Sequence, residues 1–479
     1  MMKPSRPLLP AVLLALLLLP LLALARVGGG ESYGSGDDFG GGGEIEILYF
    51  LIRLIIYEPQ LGIPVALVVG VVWVVRKRRS RTAGARRRRE HERGQQRTRV
   101  SPAQVQAWVN RLQQRDPDFS LEPLLARTRE LVIRSNEAWF RRDLTPMRAF
   151  FSDATWQRLA TQLAIMQRRG VRDAITDLEI DEVSPVGLEQ NPWYDTLHLR
   201  VVARIRDTEV PATTSDAEAL GKAKSARQEA FTEVWSFTRK LGAKTRIGHD
   251  LFQGTCPSCG APFAGGATNS CEYCGAIVNS GNYDWTLAQI TQGSAFQPAA
   301  AAVEGVSTLR ERDPAFTVNL LEDRAALLFW RWIQMRVEGR IDPLLKVAHP
   351  DFRSGVEEVL AQHPGAVGGL DEVALGAARL LRIIPGSAGP DGAPGHDHAL
   401  VEIRWSLRSG QTSRVVPQTW RFVLSRRADA QTPSENGIAS SRCHNCHGPL
   451  TDSASTSCDY CGTPLDAGGD WVILQAGAA

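Results

Sequence analysis

No cysteine occurs in the first 255 residues of this 479-residue chain. Nor does the sequence carry a P-loop, a dinucleotide-binding glycine fingerprint or the nucleophile elbow of a hydrolase, so the enzyme classes built on those loops are excluded. The nine histidines are scattered: His91 in a basic stretch, His198 on the polar face of an expected strand, His249, His349 and His363 alone, and His444 and His447 beside cysteines. His396-Asp397-His398 falls in a Gly/Pro-rich stretch read as a solvated loop, because no further ligand accompanies it. Asp177, Glu179, Asp181 and Glu182 read as the wet face of a strand and not as an acid/base pair. With no convergent catalytic set, a non-enzymatic protein is expected.

The formal charge of +3 conceals an uneven distribution. Residues 76–99 hold twelve Lys or Arg against Glu90 and Glu92, a local +10 that leaves the remainder at −7. One basic contact surface is expected, not a chain that coats nucleic acid.

Lys3 and Arg6 precede an apolar run from Leu8 to Leu22 that ends in Ala23-Leu24-Ala25, the pattern of a secretory signal, either cleaved or retained as one arm of a hairpin. Gly28 to Gly43 is too glycine-rich to bury a core and reads as a tether. A second apolar region, Ile47 to Trp73, is interrupted at Arg53, Glu58 and Pro59. A helix from Leu61 to Val75 would reach only ~22 Å, so an interfacial helix, a turn and a span that either recruits part of Leu54 to Tyr57 or thins the bilayer are expected. Arg76, Lys77, Arg78 and Arg79 follow as a stop-transfer flank, which puts everything after residue 76 in the cytoplasm. Arg86, Arg87, Arg88 and Arg89 are either an extension of that flank or a clamp for anionic lipid headgroups.

The chain then repeats itself. Arg115-Asp116-Pro117-Asp118-Phe119-Ser120 matches Arg312-Asp313-Pro314-Ala315-Phe316-Thr317, and each precedes an apolar-periodic helix for which Ser120 and Thr317 are natural N-caps. In the first, Leu121, Leu124, Leu125, Thr128, Leu131, Val132, Ser135 and Trp139 share one face. The period later changes to two. Leu197, Leu199, Val201, Ala203 and Ile205 alternate with polar residues, as do Val401, Ile403, Trp405 and Leu407, and further strands are expected around Trp235 to Phe237 and Trp420 to Phe422. Helices first and strands after indicate an α+β domain with an antiparallel sheet, present twice.

Each copy ends in paired cysteines with equal spacing: Cys256, Cys259, Cys271 and Cys274, then Cys443, Cys446, Cys458 and Cys461, followed by Asp284-Trp285 and Asp470-Trp471 strands. Two such pairs complete a closed tetrahedral site, so two structural Zn2+ ions are expected, kept available by a reducing cytoplasm. Redox-dithiol and iron–sulfur readings fit the paired spacing less well. His444 and His447 are read as non-ligands, and Gly260, Gly275 and Gly462 as turn residues after a ligand. Glu272, Asp452 and Asp459 argue against phosphate contact by these ribbons, and no nucleic acid is expected. Trp139, Phe140, Phe150, Phe151 and Trp156 read first as core and second as the lining of an apolar pocket for an acyl chain or peptide.

Asp116-Pro117-Asp118-Phe119-Ser120, Glu137-Ala138-Trp139, Arg142-Asp143-Leu144, Phe151-Ser152-Asp153 and Gly170-Val171-Arg172 resemble the domain of subunit 44 of the mitochondrial inner-membrane protein translocase, in its bacterial membrane-anchored form. The resemblance covers residues 114–290; the second copy keeps Asp313-Pro314-Ala315-Phe316 but lacks the Glu-Ala-Trp and Phe-Ser-Asp signatures and joins it mainly by order. It implies a nuclear-transport-factor-like α+β fold, a membrane-docking adaptor with protein partners and anionic lipid, and no catalytic residues. The expected plan is a signal segment (1–25), a tether (26–44), interfacial and transmembrane helices (45–79) and a basic linker (80–113). An α+β domain (114–250), a zinc ribbon (251–292), a linker (293–311), a divergent α+β domain (312–432) and a second ribbon (433–479) follow. The expected function is a scaffold at the bacterial inner membrane for protein transport or envelope organisation, with no small-molecule substrate. A lipid or small apolar ligand carrier is the alternative, and an enzyme using the same cone a third reading.

Overall fold

A computed structural model describes residue 92 and residues 99–479, except 245–253, 264, 266–267, 298–301, 363–369, 388–393 and 410–411. The expected signal segment, tether, membrane helices and basic residues Arg76 to Arg89 lie outside the described residues, as do His91, His249 and His363. Among the described residues, no helix is long and apolar enough to cross a membrane. All the described residues fall in one unit.

The first half begins with α1 (Pro102–Arg115). Ser101 caps it and Gln104 answers from the third position, so two otherwise free amides are satisfied reciprocally. In α2 (Leu121–Arg141), Leu124, Leu125, Thr128, Leu131, Val132, Ser135 and Trp139 are buried as the spacing predicts. The polar members of that stripe bond back one turn, Thr128 to the Leu124 carbonyl at 2.7 Å and Ser135 to that of Leu131 at 2.6 Å. The expected hydroxyl cap at Ser120 is not formed, whereas Thr317 accepts from the Leu320 amide at 3.3 Å. After α3 (Asp153–Arg168) come β1 (Val171–Gln190), β2 (Tyr194–Pro211), α4 (Asp216–Ser225), β3 (Gln228–Lys240) and β4 (Thr286–Gln292). The second half repeats the order with α5 (Val306–Arg312), α6 (Val318–Glu338), α7 (Pro350–Gln362), β5 (Glu372–Ile384), β6 (His396–Ser409), β7 (Thr412–Arg427) and β8 (Val472–Ala478). Two four-stranded antiparallel sheets result, in orders β1-β2-β3-β4 and β5-β6-β7-β8.

The strand expected to close each ribbon is the fourth strand of its sheet: β4 pairs with β3 and β8 with β7. Each cysteine-bearing segment is therefore an insertion between the third and fourth strands, not an appendage behind the domain. The edge of the third strand needs a partner for its amides and carbonyls, and the returning chain supplies it. The boundary expected after residue 250 accordingly cuts through one sheet.

Two buried ion pairs explain the repeated Asp-Pro-x-Phe motif. Asp116 meets Arg239 of β3 at 2.7 Å, and the guanidinium lies 4.6 Å from the Trp285 ring. Asp313 meets Arg426 of β7 at 2.8 Å, with Trp471 at 4.8 Å. Phe119 and Phe316 pack on those tryptophans with ring centroids 6.1 and 6.3 Å apart. Each triad ties the start of a half to the strand before its ribbon and the strand after it.

The halves pack through α3 and α6. Ile165 of α3 joins the second core, Gln157 bonds Gln334 at 2.9 Å, and Gln162 donates to the Val373 carbonyl at 2.9 Å. α6 is buried almost all round because it lies between its own sheet and α3, whereas no residue of α7, at the matching place in the order, is fully buried. Coverage of its outer face also corrects the reading of β2 as half-solvated. His198 is buried, bonds Ser236 at 2.8 Å and Glu189 at 3.1 Å, and packs on Phe296, while Asn319 of α6 reaches Glu189 at 3.1 Å.

Candidate functional site

Each Cys-x-x-Cys pair sits in a small hairpin, closed by the bridges Thr255↔Pro262, Ser270↔Ile277, Arg442↔Pro449 and Ser457↔Pro464. In all four the amide after the second cysteine donates to the carbonyl of the first, over 2.8 to 3.1 Å. That turn requires a left-handed residue. Gly260, Gly275 and Gly462 take it at φ of 76°, 71° and 72°, and His447 takes it at 59° in the remaining hairpin. The Ser258 and Asn445 amides each lie 3.4 Å from a cysteine sulfur, as donors to a thiolate.

The eight cysteines assemble into two groups, Cys256/Cys259/Cys271/Cys274 and Cys443/Cys446/Cys458/Cys461, each with its sulfurs within 4.8 Å of one another. Measured edges are 3.8 and 3.8 Å in the first and 3.8 and 3.6 Å in the second. Sulfurs at about 2.3 Å from a tetrahedral zinc stand about 3.8 Å apart, so the donor set fits Zn2+ in geometry as well as chemistry. Four thiolates fill a tetrahedral ion and leave no position for water or substrate. Such an ion stabilises folding, on the order of 10–16 kcal/mol in small zinc peptides. Without a cation, burial pushes the Cys256 and Cys443 thiols up to about 12, whereas a hydrogen bond from the Ala276 amide brings exposed Cys274 down to about 7 and bonding to Thr463 brings Cys461 to about 6. His444 and His447 stand outside the four-sulfur group.

The ribbon acids have a different role from the one expected. Asp452 is ion-paired to Arg331 of α6 and bonded to Gln334 at 3.0 Å, and Asp459 meets Lys346 at 2.6 Å. Lys346, with Thr451 and Ser453, holds the Asp459 carboxyl down at about 2. These charges fasten the second ribbon to its own half, so they are not a free acidic surface facing solvent.

Where the two ribbons meet, Asp153, the first residue of α3, is buried at 2% exposure. One carboxylate oxygen accepts from Arg148 at 2.6 Å and from Asn269 and Asn279 of the first ribbon at 3.1 Å each; the other accepts from the Ser441 amide of the second at 2.8 Å. Burial alone would raise its affinity for a proton, but Arg148 and these donors outweigh that and hold the carboxyl below its ordinary range. Beside it, Asp323 of α6 is raised to about 7 by burial and by the Asp153 charge, against the Ser152 and Ser440 hydroxyls and Arg324 that pull it down. No periodicity or spacing pointed to this cluster, because its members come from four separated stretches. The only signal was Phe151-Ser152-Asp153 itself.

The remaining candidates separate. Trp139, Phe150 and Phe151 are core residues, and Trp156 packs against the same cluster under the Arg148 guanidinium. Phe140 faces a different cluster, with Ala174, Val210, Ala219 and Ala223, and Arg172 lies 4.6 Å from its ring. A cavity of about 210 Å³ lies elsewhere, lined by His349, Pro350, His396, Ser425, Asp466, Ala467, Gly468 and Val472. His396-Asp397-His398 is the start of β6 and not a loop; Asp397 turns inward, 0% exposed, to Arg312 at 2.7 Å and the Gly386 amide at 2.8 Å. Asp177, Glu179 and Asp181 line β1 and pair with Arg206 and Arg204 of β2 at 2.8 to 3.3 Å, and Glu182 pairs with Arg200.

Fold and site together define a protein of helices on antiparallel sheets that carries two four-cysteine clusters able to hold a metal ion. Within it, residues 105–249 match the family model of the Tim44-like domain. The match runs from α1 past β3 and includes none of the cysteines. No curated protein matches the chain. Among solved structures, one described as an Ntf2-like protein involved in plasmid conjugation aligns at 7% identity and a TM-score of 0.12, over 61% of this chain and 92% of that one.

Proposed function

We propose that this chain is a membrane-anchored, non-enzymatic scaffold whose two halves are copies of one zinc-stapled unit, presented on the cytoplasmic side to protein partners in protein transport or envelope organisation. The observation that carries the reading is the match of residues 105–249 to the Tim44-like domain. Three features support it. The only assembled metal-ligand groups among the described residues are closed sets of sulfurs, suited to holding structure and not to activating a water. Of the aromatic side chains that would line a pocket, Trp139, Phe150 and Phe151 fill a core and Trp156 packs against it. In the sequence, an apolar segment with a basic flank precedes the domains.

The test is cross-linking in intact cells, followed by purification of the full-length protein from membranes, beside a variant lacking residues 76–99. Reproducible recovery of secretion, insertion or envelope proteins with the intact chain, and their loss with the deletion, is the expected result. Recovery of lipid with no reproducible protein would overturn the scaffold reading.

A further inference from the structure

The metal sites and the docking of the two halves use the same short stretches of chain. Asn269 lies two residues before Cys271, Ser441 lies two before Cys443, and both donate to the one buried carboxylate of Asp153. Arg442, adjacent to Cys443, closes the link by donating to the Asn269 side chain and, at 2.5 Å, to the Ser270 hydroxyl next to Cys271. Asp153 in turn opens α3, the helix by which the first half packs on α6 of the second.

A carboxylate removed from water is stable only while its donors stay in place. Here the donors are set by the hairpins that the thiolates would clamp around an ion. We propose that Asp153 makes the docking of α3 on α6 conditional on metal in both ribbons, and that the two sites consequently bind metal cooperatively. Emptying the second ribbon frees Ser441 and Arg442, which leaves Asp153 short of a donor and loosens Asn269 beside Cys271. By linkage the coupling is reciprocal, so the first site affects the second by the same factor.

The full-length chain in detergent micelles is titrated with zinc against a competing chelator, and amide exchange is followed in residues 153–168 and 318–338. In Cys443→Ser/Cys458→Ser, zinc affinity at the first ribbon is expected to fall about tenfold, within the usual 5–150-fold range of such couplings, with faster exchange in both helices. Asp153→Asn keeps every thiolate; it is expected to bind two zinc ions, to show the same faster exchange in α3 and α6 with protection in β2 and β6 intact, and to abolish the tenfold coupling. Equal affinity of the first ribbon with the second filled or emptied overturns the proposal, as does wild-type exchange in Asp153→Asn. If Asp153→Asn does not fold, Arg442→Met, which leaves Asp153 and all cysteines in place, is read in the same way: reduced coupling supports the proposal and full coupling overturns it.

Discussion

Replacing Arg239 by Met should destabilise the first half by about 3–5 kcal/mol, the cost of breaking a buried ion pair. The magnitude rests on burial and geometry. The Arg239 and Asp116 side chains are 2% and 1% exposed and meet at 2.7 Å, so water cannot take over the lost contact. Met roughly conserves the packing volume against Phe119 and Trp285, which separates the charge effect from a cavity effect. The assay is urea unfolding of the residue 99–479 segment at fixed excess zinc, because ligand binding to the native state would otherwise shift apparent stability. Arg426→Met serves as the matching change in the second half. In Arg239→Met/Asp116→Leu both members of the pair are removed, and most of the loss should be recovered. A single-variant cost below about 1 kcal/mol, or a double variant as unstable as the two single losses added together, would refute the reasoning.

Three further outcomes are expected. His447→Gly relieves a left-handed turn worth about 1–2 kcal/mol, less the about 0.5–1 kcal/mol of extra freedom glycine has in the unfolded chain; thermal unfolding should rise slightly with zinc content unchanged, and a fall would contradict the turn assignment. Stability of the interface between the halves should be greatest near pH 4 and fall as pH rises toward 7. Asp323, raised to about 7 from 3.8, contributes stability that is complete below about 4 and lost as pH rises through 7, while Asp153, held below 3.8, contributes stability present above that value and lost on acidification. Amide exchange in α6 across pH checks this, and Asp323→Asn should flatten the alkaline limb. Finally, metal analysis of the purified chain should give two zinc ions, and a strong chelator should remove both with loss of structure in the ribbons.

The helix stripe of α2, the central strands and the pairing of all eight cysteines were legible in sequence because each depends on local chemistry: a period of 3.6 or 2, or two sulfurs on one tight turn. The insertion of each ribbon inside its sheet was not legible, since strand partnership is a long-range matter and Thr286–Gln292 reads alike as a closing or a fourth strand. The same limit hid Arg239 and Arg426, which look like ordinary polar positions on a strand until the fold brings Asp116 and Asp313 to them across more than a hundred residues. His198 was misplaced because alternation reports one buried face and is silent about Phe296, which packs over the other.

What the sequence by itself determined is therefore the inventory: two sets of four thiols, two helix-then-strand stretches, and apolar runs followed by a basic stretch ahead of them. Only the tertiary structure decided that α6 is buried on both sides while α7 is not, that Asp452 and Asp459 are held in internal ion pairs, and that one aspartate lies between two four-cysteine clusters. Thiolate pairs are specified by neighbours in the chain. The partners of a buried carboxylate are specified by which surfaces exclude water together, and in this protein those surfaces come from both halves.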